Sequence, residues 1–366
     1  MTVSDIAREL VRIPSVNPDG DPGTPRTGEA ACAEWLSGFL SAVGAEVEMR
    51  EVLPGRPNLV ARFPSDRVGK PRILFAPHTD TVSVTGMTIE PFSGEIRDGR
   101  LFGRGATDTK GPMASMLWAM QEAAPMISAL PYEIWFAGLM GEEAGQHGAK
   151  ALSAQEEFAF VIAGEPTDLD VVHTHKGSAW LSLHTTGVAV HASRPEAGVN
   201  AIYKMCEAVD AMRTDVAPAL AALADPVLGH PTVSVGTISG GSKVNIVPDS
   251  CHAVVDLRTI PGQDLSLVEE RIRARVPDIE ISRTVSPPLF TDPGHPLVQA
   301  LQRCGAGLAG APWFCDAAVF AGNGCPAVAM GPGSIAQAHT CDEFISVEDL
   351  ENGAQFFLGF LRSLAG

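Results

Sequence analysis

Apolar residues recur along the first half of the chain in two alternating rhythms. Ile6, Leu10 and Ile13 form a helical stripe that Pro14 ends, and Ala30–Val43 has the composition of a second helix. Residues 73–76 (Ile-Leu-Phe-Ala) are a continuous apolar run, the signature of a strand buried on both faces. Met113, Leu117 and Met120 return to helical spacing within 111–123. Runs at 134–139 and 160–163 read as further buried strands, with a helix over 148–154 between them. Short buried strands separated by helices predict an α/β fold with a mostly parallel central sheet flanked by helices.

Beyond about Lys176 the rhythm changes. Residues 180–187, 232–236 and 252–259 alternate or are rich in β-branched side chains, and a helix is predicted from Asn200 to about Met212. That pattern predicts a smaller α+β unit with an antiparallel sheet. Pro287-Pro288 marks a return to the first domain, followed by a helix over 296–308 and a buried run at 327–330. A closing helix has Ser346 three residues before Asp349 as its capping signal, and a stripe of Leu350, Ala354, Phe357 and Leu361. The predicted layout is one domain of residues 1–176 plus 287–366, interrupted by an inserted domain of residues 177–286.

Composition narrows the possible classes. A chain of 366 residues favours two domains over one. No apolar run is long enough for a membrane span, and the opening MTVSDIARELVRIPS does not read as a signal peptide. Cys32, Cys206, Cys251, Cys304, Cys315, Cys325 and Cys341 are scattered singly, which fits reduced thiols and a cytoplasmic protein. The net charge of -17 speaks against nucleic acid or an anionic membrane as partner. A solvated acidic surface accounts for most of that charge; a carboxylate site neutralised by cations would account for part.

The ends of the buried runs carry the chemistry. Run 73–76 ends in Pro77-His78-Thr79-Asp80, the next is followed by Gly141-Glu142-Glu143, and run 160–163 by Gly164-Glu165. A glycine-punctuated loop, residues 103–111, contains Asp108 and opens a helix, and His339 follows Gly331-Pro332-Gly333-Ser334. In an open α/β sheet the ligand crevice lies beyond the carboxyl ends of the strands, so three strand ends deliver His or carboxylates to one edge. Such a nitrogen/oxygen set suits zinc, with manganese or cobalt as alternatives. Taken singly each motif is weak. A lone His-x-Asp is more often a hydrogen-bonded pair, a Glu-Glu dipeptide a solvated helix end, and Gly-x-Gly without a third glycine a poor dinucleotide signal. His147, His173 and His175 read as structural or surface residues.

Together the stretches HTD (78–80), GRGATDTKG (103–111), GEE (141–143), AGEPT (163–167), GVAVHASRPEAGVNAI (187–202) and AHTCDEF (338–344) resemble a metal-dependent hydrolase family. That family includes acetylornithine deacetylase, succinyl-diaminopimelate desuccinylase, glutamate carboxypeptidase and aminoacylase, and the resemblance runs nearly the whole length. It implies two Zn2+ per chain, with Co2+ or Mn2+ as substitutes. His78, Asp108 and Glu165 would hold one ion, and Asp108 would bridge to a second completed by Glu143 and His339. Asp80 would orient His78. Glu142 would be the general base that takes a proton from the attacking water.

The resemblance also implies that residues 1–176 plus 287–366 are the catalytic domain and 177–286 a dimerisation or lid domain. His191 would reach over the site, often from a partner subunit, to stabilise the oxyanion, which implies a homodimer. Asn245 and Arg258 match positions that bind a substrate carboxylate, a role that suits the planar fork of Arg; a strand salt bridge is the alternative for Arg258. Cys341, Val84-Thr85 and Phe314-Cys315-Asp316-Ala317 depart from the family pattern without touching a ligand, and they bear on the substrate. Glu165 and the His-Thr-x-Asp-Glu ending look closer to acetylornithine deacetylase than to the desuccinylase. The implied activity is hydrolysis of the amide bond of a small N-acyl-L-amino acid. The desuccinylase, or a dipeptidase or carboxypeptidase acting on a short peptide, is the alternative.

Overall fold

The computed structural model describes residues 1–19 and 27–365. The chain forms two compact units: Met1–His173 with Phe290–Ala309 and Cys315–Gly366, and Thr174–Leu289 with Gly310–Phe314. Among the described residues no helix is long and apolar enough to cross a membrane.

The first unit is built on a sheet whose centre is parallel. Strands Glu133–Gly138, Arg72–Ala76, Phe160–Ala163 and Ala327–Ala329 lie side by side in that order, each pair parallel. Antiparallel strands flank them. The hairpin Glu46–Leu53 and Arg56–Arg62 adds to one margin, and Val171–His175 pairs antiparallel with Ala327–Ala329 at the other. The apolar runs are explained by burial on both faces. Ile73, Phe75, Ile134, Phe136, Phe160 and Ile162 join the core cluster that includes helices Val3–Arg12, Ala30–Val43, Lys110–Ile127 and Val347–Ser363. Their neighbours Leu74, Trp135 and Val161 are buried too, and Trp135 meets Phe158 edge-on, as Phe158 meets Phe320. A third, small sheet of Glu95–Arg97, Arg100–Phe102 and Phe344–Ser346 completes the unit.

Helix ends follow local chemistry. The Thr2 hydroxyl accepts from Asp5 N and the Asp5 carboxylate from Thr2 N, both at 3.1 Å, closing a capping box. Gly44, at φ +98°, ends Ala30–Val43 in the left-handed region. Ser346 Oγ accepts from Asp349 N at 2.9 Å and opens the last helix. Two sequence expectations are corrected in extent. The third helix runs over Lys110–Ile127, past Pro125, and the helix expected over 296–308 stops at Arg303. There Gly305 adopts φ +111° and the chain turns into strand Leu308–Ala311.

In the second unit one face of an antiparallel sheet is buried. Strand order is Thr232–Gly240, Ser250–Thr259, Gly177–Thr186, Glu280–Ser286. Ala179, Leu181 and Leu183 alternate inward beside Cys251, Ala253, Val255 and Leu257, and pack against Met205 and Ala208 of helix Ala201–Ala211 and Val268 and Ile272 of helix Ser266–Arg275. The period of two thus gives the half-buried sheet its face. Asn200 caps the first of those helices by accepting from Ile202 N and Tyr203 N.

Candidate metal centre

His78, Glu142, Glu143 and Glu165 follow from the way their strands end, whereas Asp108 and His339 come from loops. Arg72–Ala76 leads into His78, and the ladder continues one step further: Thr79 N donates to Leu139 O at 2.7 Å. Glu142 and Glu143 come just after Glu133–Gly138, and Glu165 just after Phe160–Ala163. Parallel strands end on the same side, so these groups share one edge.

Asp80 ties the edge together. Its Oδ1 accepts from Glu142 N and its Oδ2 from Glu143 N, both at 3.0 Å, while Asn17 Nδ2 donates to Oδ2 at 2.7 Å. His78 Nδ1 lies 2.9 Å from the Asp80 carbonyl and 3.4 Å from Oδ1, which aims Nε2 away from Asp80. Asn58 braces the same loop from beneath. Its Oδ1 accepts from Met140 N at 3.0 Å and its Nδ2 donates to Gly148 O at 2.9 Å.

Two clusters of donors result, and they share a residue. His78, Asp108 and Glu165 offer atoms within 4.8 Å of one another, as do Asp108, Glu143 and His339. Asp108 stands between two imidazoles: its Oδ1 is 3.0 Å from His78 Nε2 and its Oδ2 3.2 Å from His339 Nε2. His339 Nε2 is also 3.3 Å from Glu143 Oε1. His78, Asp108 and Glu165 are buried, whereas the His339 side chain is 53% exposed and its backbone holds φ +62°, an uncommon state for a non-glycine residue.

Electrostatics follow from this crowding. The two imidazoles oppose burial and hold Asp108 well below the usual carboxylate range. Asp108 and Glu143 push His339 up to about 10. Burial works against a charged His78, yet hydrogen bonds with Asp108 and Asp80 raise it well above its ordinary value. Burial first, and then the charges of their neighbours, push Glu142, Glu143 and Glu165 upward. Two imidazoles with one Asp and two Glu form a nitrogen/oxygen donor set suited to zinc or another first-row divalent ion. Asp108, Glu143, Glu165 and Glu142 carry four negative charges when ionised, which two divalent cations balance. The residues present therefore fit a pair of metal ions.

The remaining sequence candidates lie in the second unit. His191 is exposed, and its Nδ1 accepts from Ser193 N at 3.2 Å with Ser193 Oγ at 2.8 Å. The segments of His191 and Asn245 run together: Ala192 N donates to Asn245 O at 2.9 Å and Val247 N to Val190 O at 2.8 Å. Arg258 is not part of that pairing. Its Nε and Nη2 donate to Asp256 on the same strand at 3.0 and 3.1 Å. His173 Nδ1 lies 3.1 Å from Thr291 O, and burial pushes His175 down to about 4; neither joins a donor cluster. His147 opens a short helix and is exposed.

Two buried carboxylates near the edge were not among the sequence candidates. Glu343 is fully buried and gathers the loop that ends at Asp108; its only sequence signal is its place in AHTCDEF, four residues after His339. Asp316 is equally buried, and neither of its carboxylate oxygens has a hydrogen-bond partner among the described residues. Burial pushes it up to about 7.

The chain is 31% identical to the acetylornithine deacetylase of Proteus mirabilis over 96% of its length and 93% of the relative's. It is 30% identical to that of Edwardsiella ictaluri, covering 93% of this chain and 92% of the relative. Among solved structures, the aminopeptidase PepT from Bacillus cereus superposes with a TM-score of 0.79 at 25% identity, over 100% of this chain and 98% of that one. The M20 family metallo-carboxypeptidase Sso-CP2 from Sulfolobus solfataricus shares the fold, with a TM-score of 0.78 at 18% identity over 100% and 99% of the two chains. The family model described as peptidase family M20/M25/M40 matches residues 74–363, from within strand Arg72–Ala76 to the end of the last helix. The chain belongs to peptidase family M20/M25/M40, a family of metal-dependent amidohydrolases and metallopeptidases.

Proposed function

We propose that the protein hydrolyses the amide bond of a small N-acyl-L-amino acid, with N-acetylornithine as the leading substrate. The observation that carries this reading is the position of Asp108 between His78 and His339, which makes two donor clusters share one carboxylate. In this proposal His78, Asp108 and Glu165 hold one Zn2+, and Asp108, Glu143 and His339 a second. When bound, the ions supply Lewis acidity toward the amide carbonyl and toward the attacking water.

The side chains divide the remaining work. Glu142 accepts the proton of the attacking water at its carboxylate and returns it to the leaving nitrogen. Asp80 fixes the ring of His78 and, through the amides of Glu142 and Glu143, fixes base and ligand against each other. His191 accepts at Nδ1 from Ser193 N, an arrangement that leaves the proton of the neutral ring on Nε2. An Nε2–H is the donor that a developing oxyanion requires. Asn245 and Arg258 are assigned to the substrate carboxylate, for which Arg258 would exchange its bonds to Asp256. We further propose that the enzyme is a cytoplasmic homodimer in which His191 serves the metal centre of a second copy. The single, scattered placement of the seven cysteines along the sequence supports a reducing compartment.

The test is metal content per chain together with N-acetylornithine hydrolysis before and after chelation. About two zinc ions and chelator-sensitive release of acetate are expected. Two zinc ions without that activity would shift the reading to a peptide substrate, which the likeness to the aminopeptidase PepT favours. No metal would end it.

A further inference from the structure

Glu343 sits at 0% exposure, and every acceptor direction of its carboxylate is used. Oε1 accepts from Thr107 N at 2.9 Å and Asp108 N at 3.0 Å; Oε2 accepts from Gly105 N at 3.0 Å and Arg104 Nη1 at 2.7 Å. Three of the four donors are main-chain amides of the loop that ends at Asp108, and one of them is the amide of Asp108 itself. Turning the first of those amides inward requires the backbone freedom of glycine. Gly105 takes φ +83°, and a Cβ there would lie 2.9 Å from the Thr81 methyl and 3.1 Å from the Lys110 stem. Arg104 is buried as well, and it also donates to Ser83 O at 3.1 Å and Thr340 O at 3.3 Å.

These bonds join two pieces of chain that are distant in sequence. Gly103 N donates to Glu343 O at 3.0 Å and Thr107 Oγ1 to Phe344 O at 2.8 Å. One piece carries Asp108 and the other, four residues before Glu343, carries His339. The geometry points to Glu343 as the positioning residue that sets Asp108, and through its own segment His339, at the spacing the two-ion centre needs. This role rests on the metal-centre reading proposed above. Only an ionised carboxylate supplies four acceptor sites and no donor. A Gln amide would turn its NH2 toward donors already aimed at it, and an Asp would fall one methylene short.

A buried Glu–Arg pair could equally close a loop for stability alone, and metal binding by the folded protein separates the two roles. The whole chain, freed of metal, is titrated with Zn2+ in competition with a chromophoric chelator, for the wild type and Glu343→Gln. The visible absorption of the Co2+-loaded proteins is recorded beside it. Ten- to hundredfold weaker Zn2+ binding and an altered Co2+ spectrum are expected, with circular dichroism unchanged at the temperature used. A folded variant that binds Zn2+ as tightly as the wild type and gives the same Co2+ spectrum would overturn the inference. Wild-type protein that takes up no Zn2+ would instead defeat the metal-centre reading itself. Should Glu343→Gln fail to fold, Arg104→Gln keeps the three amide bonds; several-fold weaker binding supports the inference and unchanged binding overturns it.

Discussion

The two units treat charge in opposite ways. Among the described residues, the second unit buries no Asp, Glu, Lys or Arg; its interior is apolar, with a few Ser and Thr and one His at the margins. In the first unit Glu29, Asp80, Asp108, Lys110, Glu165, Asp316 and Glu343 are all buried. Burying an ionised group is costly unless partners replace its water, and most of these have them. Glu29 takes a bidentate pair from Arg56, at 2.8 and 2.5 Å, and Lys110 donates to Ile13 O at 2.6 Å. Asp316 has only Gln146 beside it, outside ordinary hydrogen-bond geometry, and Glu142, Glu143 and Glu165 crowd one another. The comparison teaches that the interior of the second unit is held by apolar packing, whereas the first unit also carries a charged interior, part of which forms the two donor clusters.

The largest test of that contrast is Glu142→Gln. It should lower turnover about 10³-fold while leaving metal content unchanged, because it removes a proton acceptor and no ligand. Near-normal turnover would show that the charged edge works by another route. Next comes Leu183→Ala, in the apolar interior of the second unit. A loss of about 3 kcal/mol in denaturant unfolding is expected, equal with and without metal. A loss that metal rescues would erase the distinction between the units.

His191→Ala should cut kcat about 10²-fold with metal content intact. Loss of zinc in that variant would move His191 into the ligand set. The smallest effect is assigned to Arg258→Gln, which should raise KM about tenfold and spare kcat, in line with one charged hydrogen-bonding partner. An unchanged KM would leave Arg258 as the strand partner of Asp256 and nothing more.

How much of this was legible depended on where information is local. Buried runs such as 73–76 and 160–163 declared themselves because both faces are covered, and Ala30–Val43 through its composition. Strand Glu46–Leu53 did not, since its charged side chains are largely exposed and give no apolar period. Helix Ser266–Arg275 was equally silent: only Val268 and Ile272 are buried in a segment rich in Glu and Arg. At the candidate metal centre, the sequence pointed to His78, Glu143 and Glu165 through strand ends and to Asp108 and His339 through family motifs, and the structure brings the five into two clusters. It pointed to neither Glu343 nor Asp316, because whether a carboxylate lies at the surface or in the interior is decided by loops that fold around it. The engagement of Arg258 by Asp256 is of the same kind, a choice between partners made only in three dimensions.

The amides of Glu142 and Glu143 both end on the carboxylate of Asp80. Neighbouring residues moored to a single anchor move with it: a drift of Asp80 carries Glu142 and Glu143 together. Registration between the two therefore depends on one side chain. Its weak point is Asp80 itself, whose replacement would release both residues at once.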